Sequence, residues 1–458
     1  MIDEDNYYEI HFAKPIYQIA AQMYDEETTK SENQLKFTKK CTNLSDELSQ
    51  TIFTGDIPRA YDAINQILEL DTSSYCFPYE TFNSNWVPKL LSVFIHDHPN
   101  TSLFSASLKL LEILTRGKCI EQLFNESFLT DLMNFVYGNV DDDLISSAIS
   151  CIRNIINHSR NGAICGYKQM IKGLTKLLEH DLKPNVLENV FYCLSGYLKY
   201  SDLFDEESIM NLIRNLMLFF KVDIQEYQVH GLYCLYLILE HWENYSDVIL
   251  TKDNISLLFN YINIQDYENL KITCILFLTK IFKLKNNEQI KYYTIQFIDC
   301  NWLGNIWNQT NYEIHLYLYE LLMSLFNYNQ QLLNSAISNG IFDLFMKELS
   351  LSKFNHRKNI IQFLLSLAYY NTNIIHYLIS KNFIAITKEF IETDCNIEKP
   401  IFRFYLIYFN LIISNIITNY SPTEIEEINE ILLEKMENPK LSDYVNELQK
   451  KIAIILDQ

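Results

Sequence analysis

Apolar helical segments recur along this 458-residue chain about every 42 positions, and that recurrence constrains the fold more than any other feature. From Trp86 onward the pattern is an apolar helix, a short polar break and a longer apolar helix. The first helices read WVPKLLSVFI from Trp86, FLTDLMNFVYG from Phe128, MIKGLTKLLEH from Met170 and IMNLIRNLMLFF from Ile209. They continue with ISLLFNYIN from Ile255, WLGNIWNQT from Trp302, IFDLFMKELS from Ile341 and FIAITKEFIE from Phe383. Longer second helices follow, as in the runs from Leu144, Val186, Glu226 and Asn269. Within these four, Cys151, Cys193, Cys234 and Cys274 occupy one position of the unit, spaced 42, 41 and 40 residues apart. Each unit alone leaves one helical face wet, and stacking neighbours buries those faces in a continuous core. The expected fold is an all-α solenoid of about eight repeats.

Composition agrees. Only 10 Gly and 9 Pro punctuate the chain, too few for the closely spaced turns of a β-rich protein. Hydrophobic residues make up 48%, more than a disordered chain carries. The expected domains are an arm over 1–44, partly helical or mobile; a repeat region over 45–420; and a helical cap over 421–458. Within the cap, Ser421-Pro422-Thr423-Glu424 reads as a capping box with Pro at the first helical position. Ile401 to Tyr420 is long enough to cross a bilayer, but Arg403, Asn410 and Asn415 would be costly there. A buried repeat helix is the expectation for it, with no membrane span.

The formal charge is −20, from 57 acids against 37 bases. Such a field repels a phosphate backbone, so no nucleic-acid partner is expected. It attracts basic partner segments, and it equally keeps a long solenoid soluble. The cysteines are scattered singly, without C-x-x-C or metal-ligand spacing, which suits a reducing compartment and cytoplasmic localisation. The aligned four lie among Ile, Leu and Tyr, so packing, not thiol reactivity, is expected of them. The MIDEDNYYEI start lacks a signal-peptide layout.

No catalytic signature is present. Gly-x-Ser-x-Gly, Walker A, Gly-x-Gly-x-x-Gly and His-Glu-x-x-His patterns are all missing. His96-Asp97-His98 offers two imidazoles, but no third ligand follows at a sensible spacing and an inter-helix loop accounts for it. The other histidines read as isolated, satisfied structural groups. Pairs such as Glu206/Glu207 are ordinary on an acidic surface. Catalytic residues, metal ligands, cofactors and a small-molecule substrate are therefore expected to be absent, and the chain is expected not to be an enzyme.

The chain resembles armadillo-repeat proteins, and in layout is similar to importin-alpha-type nuclear import adaptors. GDIPRAYDAINQILELDTSS followed by WVPKLLSVF resembles that family's partial first unit and the entry to its first full one. SAISCIRNIINHS resembles its third-helix pattern. NSAISNGIFDLFMKEL, with Gly340 before Ile341, resembles its Gly-led junction. The resemblance spans about residues 45–420 and implies a right-handed superhelical solenoid. It also implies a row of third helices lining a binding groove, where the adaptors carry a Trp-x-x-x-Asn ladder. Here the ladder places hold Ser150/Asn154, Tyr192/Gly196, Tyr233/Leu237 and Thr273/Phe277, so only Asn154 matches. KFTKK, from Lys36 to Lys40, is a weak counterpart of the family's basic arm.

The expected activity is protein binding: a peptide or helix of a partner protein, a basic segment being one candidate, held along a concave groove lined by Asn154, Tyr192, Tyr233, Leu237, Thr273 and Phe277. Aromatic anchors are frequent hot spots for such ligands. A core position for these rings is the competing expectation. The alternative function is a divergent import adaptor for basic cargo segments, which would add the nucleus as a second compartment.

Overall fold

The computed structural model describes residues 32–71, 77–82, 102–117, 126–138, 141–158, 160–180, 182–222, 224–264, 267–393, 398–414, 416–417, 420–435 and 441–456. The expected first helix from Trp86 and the His96-Asp97-His98 motif lie outside these residues, as does most of the arm. The chain divides into two compact units between Leu257 and Leu258. Among the described residues no strand occurs.

The first unit opens with α1 (Glu32–Thr54), α2 (Ile57–Asp71) and α3 (Ser102–Leu114). It continues through α4 (Glu126–Gly138), α5 (Asp142–His158), α6 (Arg160–Ile164), α7 (Tyr167–Leu177) and α8 (Pro184–Leu198). Next come α9 (Glu206–Leu216), α10 (Gln225–His241), α11 (Ser246–Ile249) and α12 (Lys252–Ile262), in which the division falls. The second unit holds α13 (Glu268–Lys283), α14 (Glu288–Ile295), α15 (Cys300–Asn308), α16 (Tyr312–Tyr328), α17 (Gln330–Ser338) and α18 (Ile341–Leu351). It ends with α19 (Phe354–Tyr370), α20 (Thr372–Ser380), α21 (Phe383–Thr393), α22 (Glu398–Ile413), α23 (Pro422–Glu434) and α24 (Ser442–Leu456).

The repeat therefore has three helices, not two: a short one, a middle one and a long third one, as in α17–α18–α19. The short helices follow the long ones almost directly, with only Asn329 before α17 and only Asn371 before α20, in stretches where no separate helix is expected. A single separating residue is too little punctuation to mark a helix boundary in a sequence pattern. Polar residues at the breaks cap the helices they precede. Asn329 Oδ1 accepts from the Leu332 amide at 3.0 Å and Asp299 from the Trp302 amide at 2.7 Å. Ser421 accepts from the Glu424 amide at 3.4 Å, as the capping box predicts. A left-handed residue recurs immediately before three middle helices, at Gly166 (φ 62°), Gly340 (φ 76°) and Asn382 (φ 56°). Gly and Asn are the residues that enter this region at least cost.

The long helices pack in rows: α3, α5, α8 and α10 in the first unit, and α13, α16, α19, α22 and α24 in the second. Cys151, Cys193, Cys234 and Cys274 lie buried in these rows. The Cys193 thiol donates to the Ile149 carbonyl at 3.4 Å and that of Cys234 to the Phe191 carbonyl at 3.7 Å. Each of these two small side chains thus sits against the backbone of the preceding long helix. Burial pushes all four thiols well above their ordinary range, so packing is their role.

No helix among the described residues is long and apolar enough to cross a membrane. The suspect stretch forms α22, whose polar groups pair with α24. The Arg403 guanidinium donates to Tyr444 Oη at 3.1 Å, and Lys451 Nζ donates to Asn410 Oδ1 at 2.6 Å.

Candidate functional site

In the first unit, α5, α8 and α10 present a partly open face of mixed polar and aromatic character. A helix buried on one side leaves residues three and four apart on the other. On α8 and its C-cap these are Glu188, Asn189, Tyr192, Ser195 and Lys199. On α10 they are Glu226, His230, Tyr233, Tyr236, Leu237 and Glu240. A chain of contacts orders the near end. The Arg153 guanidinium donates to Asn189 Oδ1 at 2.8 Å, and the Asn189 amide donates to Ser146 Oγ at 3.0 Å. Arg153 also lies over the Tyr192 ring, 5.6 Å from its centroid. Tyr192 meets His230 edge-on at 5.2 Å, and Tyr233 stacks on Tyr236 at 6.1 Å.

Electrostatics keep this face neutral in its rings, with the carboxylates of Glu188, Glu226 and Glu240 alongside the cations Arg153 and Lys199. Burial and the Glu188 carboxylate, which accepts a hydrogen bond from the Tyr192 hydroxyl, push that phenol up to about 12. Burial lowers the His230 imidazole, against the opposing pull of Glu188 and Glu226. Burial also lowers the Lys199 ammonium.

Of the six residues expected to line the groove, Tyr192, Tyr233 and Leu237 are half-buried on this face. The others are not available to a partner. Phe277 is 0% exposed and Thr273 4%, with its hydroxyl bonded to the Asn269 carbonyl at 2.9 Å. Asn154 is 9% exposed, and its amide donates to the Glu112 carbonyl and to Thr115 Oγ1, both at 3.1 Å. The physical reason is register. Relative to the aligned cysteine, the place open in all four helices is two residues later: Arg153, Ser195, Tyr236 and Leu276. The ladder alignment used the places one residue before and three residues after the cysteine; the later one, a further 100° around the helix from the open place, turns inward in three of the four, and the earlier one in two. Two residues on from the buried cysteine is about 200° around the helix, which places Tyr236 and Arg153 opposite it.

A second cluster lies in the other unit. His315 on α16, Glu348 on α18 and His356 on α19 bring their donor atoms within 4.8 Å of one another. His315 Nδ1 lies 2.9 Å from Glu348 Oε1, and His356 Nε2 contacts the same oxygen. His315 Nε2 lies 3.0 Å from the Trp307 carbonyl, and the Trp307 indole stacks on the imidazole at 3.9 Å. Burial alone would raise the Glu348 carboxyl, but the two histidines hold it down at about 2. This corrects the expectation of isolated histidines. His315 and His356 are 41 residues apart, one repeat, so stacking brings them together. Among the described residues this is the group whose donor set suits a metal ion.

No family model matches the chain, and no curated protein matches it. Solved structures do. A crystal structure of an engineered protein superposes with a TM-score of 0.62 at 12% identity, covering 92% of this chain and 99% of its own. A designed armadillo repeat protein in complex with the peptide (KR)4 reaches a TM-score of 0.43 at 14% identity, covering 53% of this chain and 100% of its own. The fold is an all-α solenoid of three-helix repeat units. The engineered protein, spanning nearly the whole chain, supports that fold and nothing more.

Proposed function

We propose that this chain is a non-enzymatic protein-interaction scaffold that takes an extended basic peptide, or a basic amphipathic helix, along the open face of α5, α8 and α10. The observation that carries this reading is the placing of half-buried Tyr192, Tyr233 and Tyr236 beside Glu188, Glu226 and Glu240. Rigid rings offer contact area at low entropic cost and accept Lys or Arg over their faces. The carboxylates, within a chain of net charge −20, steer a basic ligand toward them. The compartment that goes with this reading is the cytoplasm.

The narrower reading, a divergent import adaptor that also enters the nucleus, shares the same ligand chemistry. Its one matching ladder residue, Asn154, spends its amide inside the protein. A fluorescence-anisotropy titration of Lys/Arg-rich peptides against the full chain tests both. Binding tighter than roughly 100 µM, near −5.5 kcal/mol, that weakens with added salt is the expected result. Affinity for localisation-signal peptides above that for scrambled basic peptides would favour the adaptor. No binding in this range removes both readings.

A further inference from the structure

The His315–Glu348–His356 cluster poses a problem of proton placement. The Trp307 carbonyl 3.0 Å from His315 Nε2 only accepts hydrogen bonds, so Nε2 carries the ring's hydrogen. In a neutral imidazole that leaves Nδ1 with a bare lone pair, pointed at the Glu348 carboxylate 2.9 Å away. Two acceptors do not face each other at that distance without a positive charge between or on them. His356 adds a second nitrogen to the same oxygen, while its own buried Nδ1 has no hydrogen-bond partner among the described residues. The one polar engagement of that ring is therefore through Nε2, toward Glu348.

We propose that His315 Nδ1, His356 Nε2 and the Glu348 carboxylate form a binding site for a divalent transition ion of the zinc type. Two imidazoles and a carboxylate are a donor set that zinc accepts, and ligand atoms within 4.8 Å of one another need only small shifts to reach bonds of about 2.0–2.2 Å. The Trp307 carbonyl supplies the outer hydrogen bond that fixes the tautomer of a ligating histidine, and its indole fixes the ring plane. Both imidazoles are buried, whereas the Glu348 side chain keeps 19% of its exposure, so the carboxylate is the side from which an ion would enter. The ion would clip three helices, α16, α18 and α19, drawn from two successive repeats. It replaces the charge that the lone-pair geometry demands without requiring a buried imidazolium.

The test uses the full chain, stripped with a chelator and titrated with Zn2+ by calorimetry and with Co2+ by visible absorption. The expected result is one ion per chain, bound at micromolar affinity or tighter, with the spectrum of nitrogen and oxygen ligands and no thiolate charge-transfer band. His356→Gln and Glu348→Gln should each weaken binding by about 100-fold. Should either variant fail to fold, X-ray absorption of the zinc-loaded parent chain reads the ligands directly and should show two imidazoles. No binding, thiolate ligation, or affinity unchanged in the folded variants would overturn the site. So would histidine NMR of the stripped chain showing a doubly protonated His315 at pH 7 that added Zn2+ leaves unchanged.

Discussion

Helices α10 and α13 carry the same repeat position 40 residues apart, with Cys234 and Cys274 in matching places, yet they meet solvent differently. On α10 the flanking Tyr233, Tyr236 and Leu237 are half-buried, and the helix presents a usable aromatic face. On α13 the matching Thr273 and Phe277 are closed off, and between Leu270 and Phe282 only Leu276 is not fully buried. Even Lys271 and Lys280 are covered there, at 4% and 7% exposure. Repetition fixes which residues correspond. It does not fix how much of each neighbouring helix covers them.

Truncation separates the two helices. Phe277→Ala removes a fully buried ring and should cost about 3–5 kcal/mol, read as a lowered denaturation midpoint, with ligand affinity of the folded fraction unchanged. Tyr233→Ala combined with Tyr236→Ala should do the reverse. Affinity for a Lys/Arg-rich peptide should fall about 30-fold, near 2 kcal/mol, while stability changes by no more than about 1 kcal/mol. Equal stability losses on the two helices would erase the distinction. A smaller effect is expected at the edge of α13. Asn311 caps α16 through the amides of Glu313 and Ile314 at 3.1 Å, and its amide donates to Glu268 at 2.6 Å. Asn311→Ala should cost about 1 kcal/mol by equilibrium unfolding, without altering peptide affinity.

Much of the fold was legible because apolar period and repeat length are carried by many residues at once. Each expected first helix from Phe128 to Phe383 lies on a helix, and Ser421 caps as its motif predicts. The short helices were hidden because single residues, Asn329 and Asn371, part α17 and α20 from the long helices before them, too little punctuation to mark a boundary. The candidate face was half legible. Aromatic content pointed to rings in a groove, but Tyr197, Tyr319, Tyr405 and Tyr408 are fully buried and take part of it into the core. Phe277 goes with them, because a one-place error in register rotates a helical residue by 100°. The His315–Glu348–His356 cluster was hidden for a different reason. Its members come from three helices, and only the one-repeat spacing of His315 and His356 hinted at their meeting.

Hydrogen–deuterium exchange with and without a saturating Lys/Arg-rich peptide tests the account most directly. Protection should concentrate in segments 184–199 and 225–241, with 268–283 unchanged. Protection centred on 268–283, or none anywhere under saturating ligand, would contradict a binding face built on α5, α8 and α10.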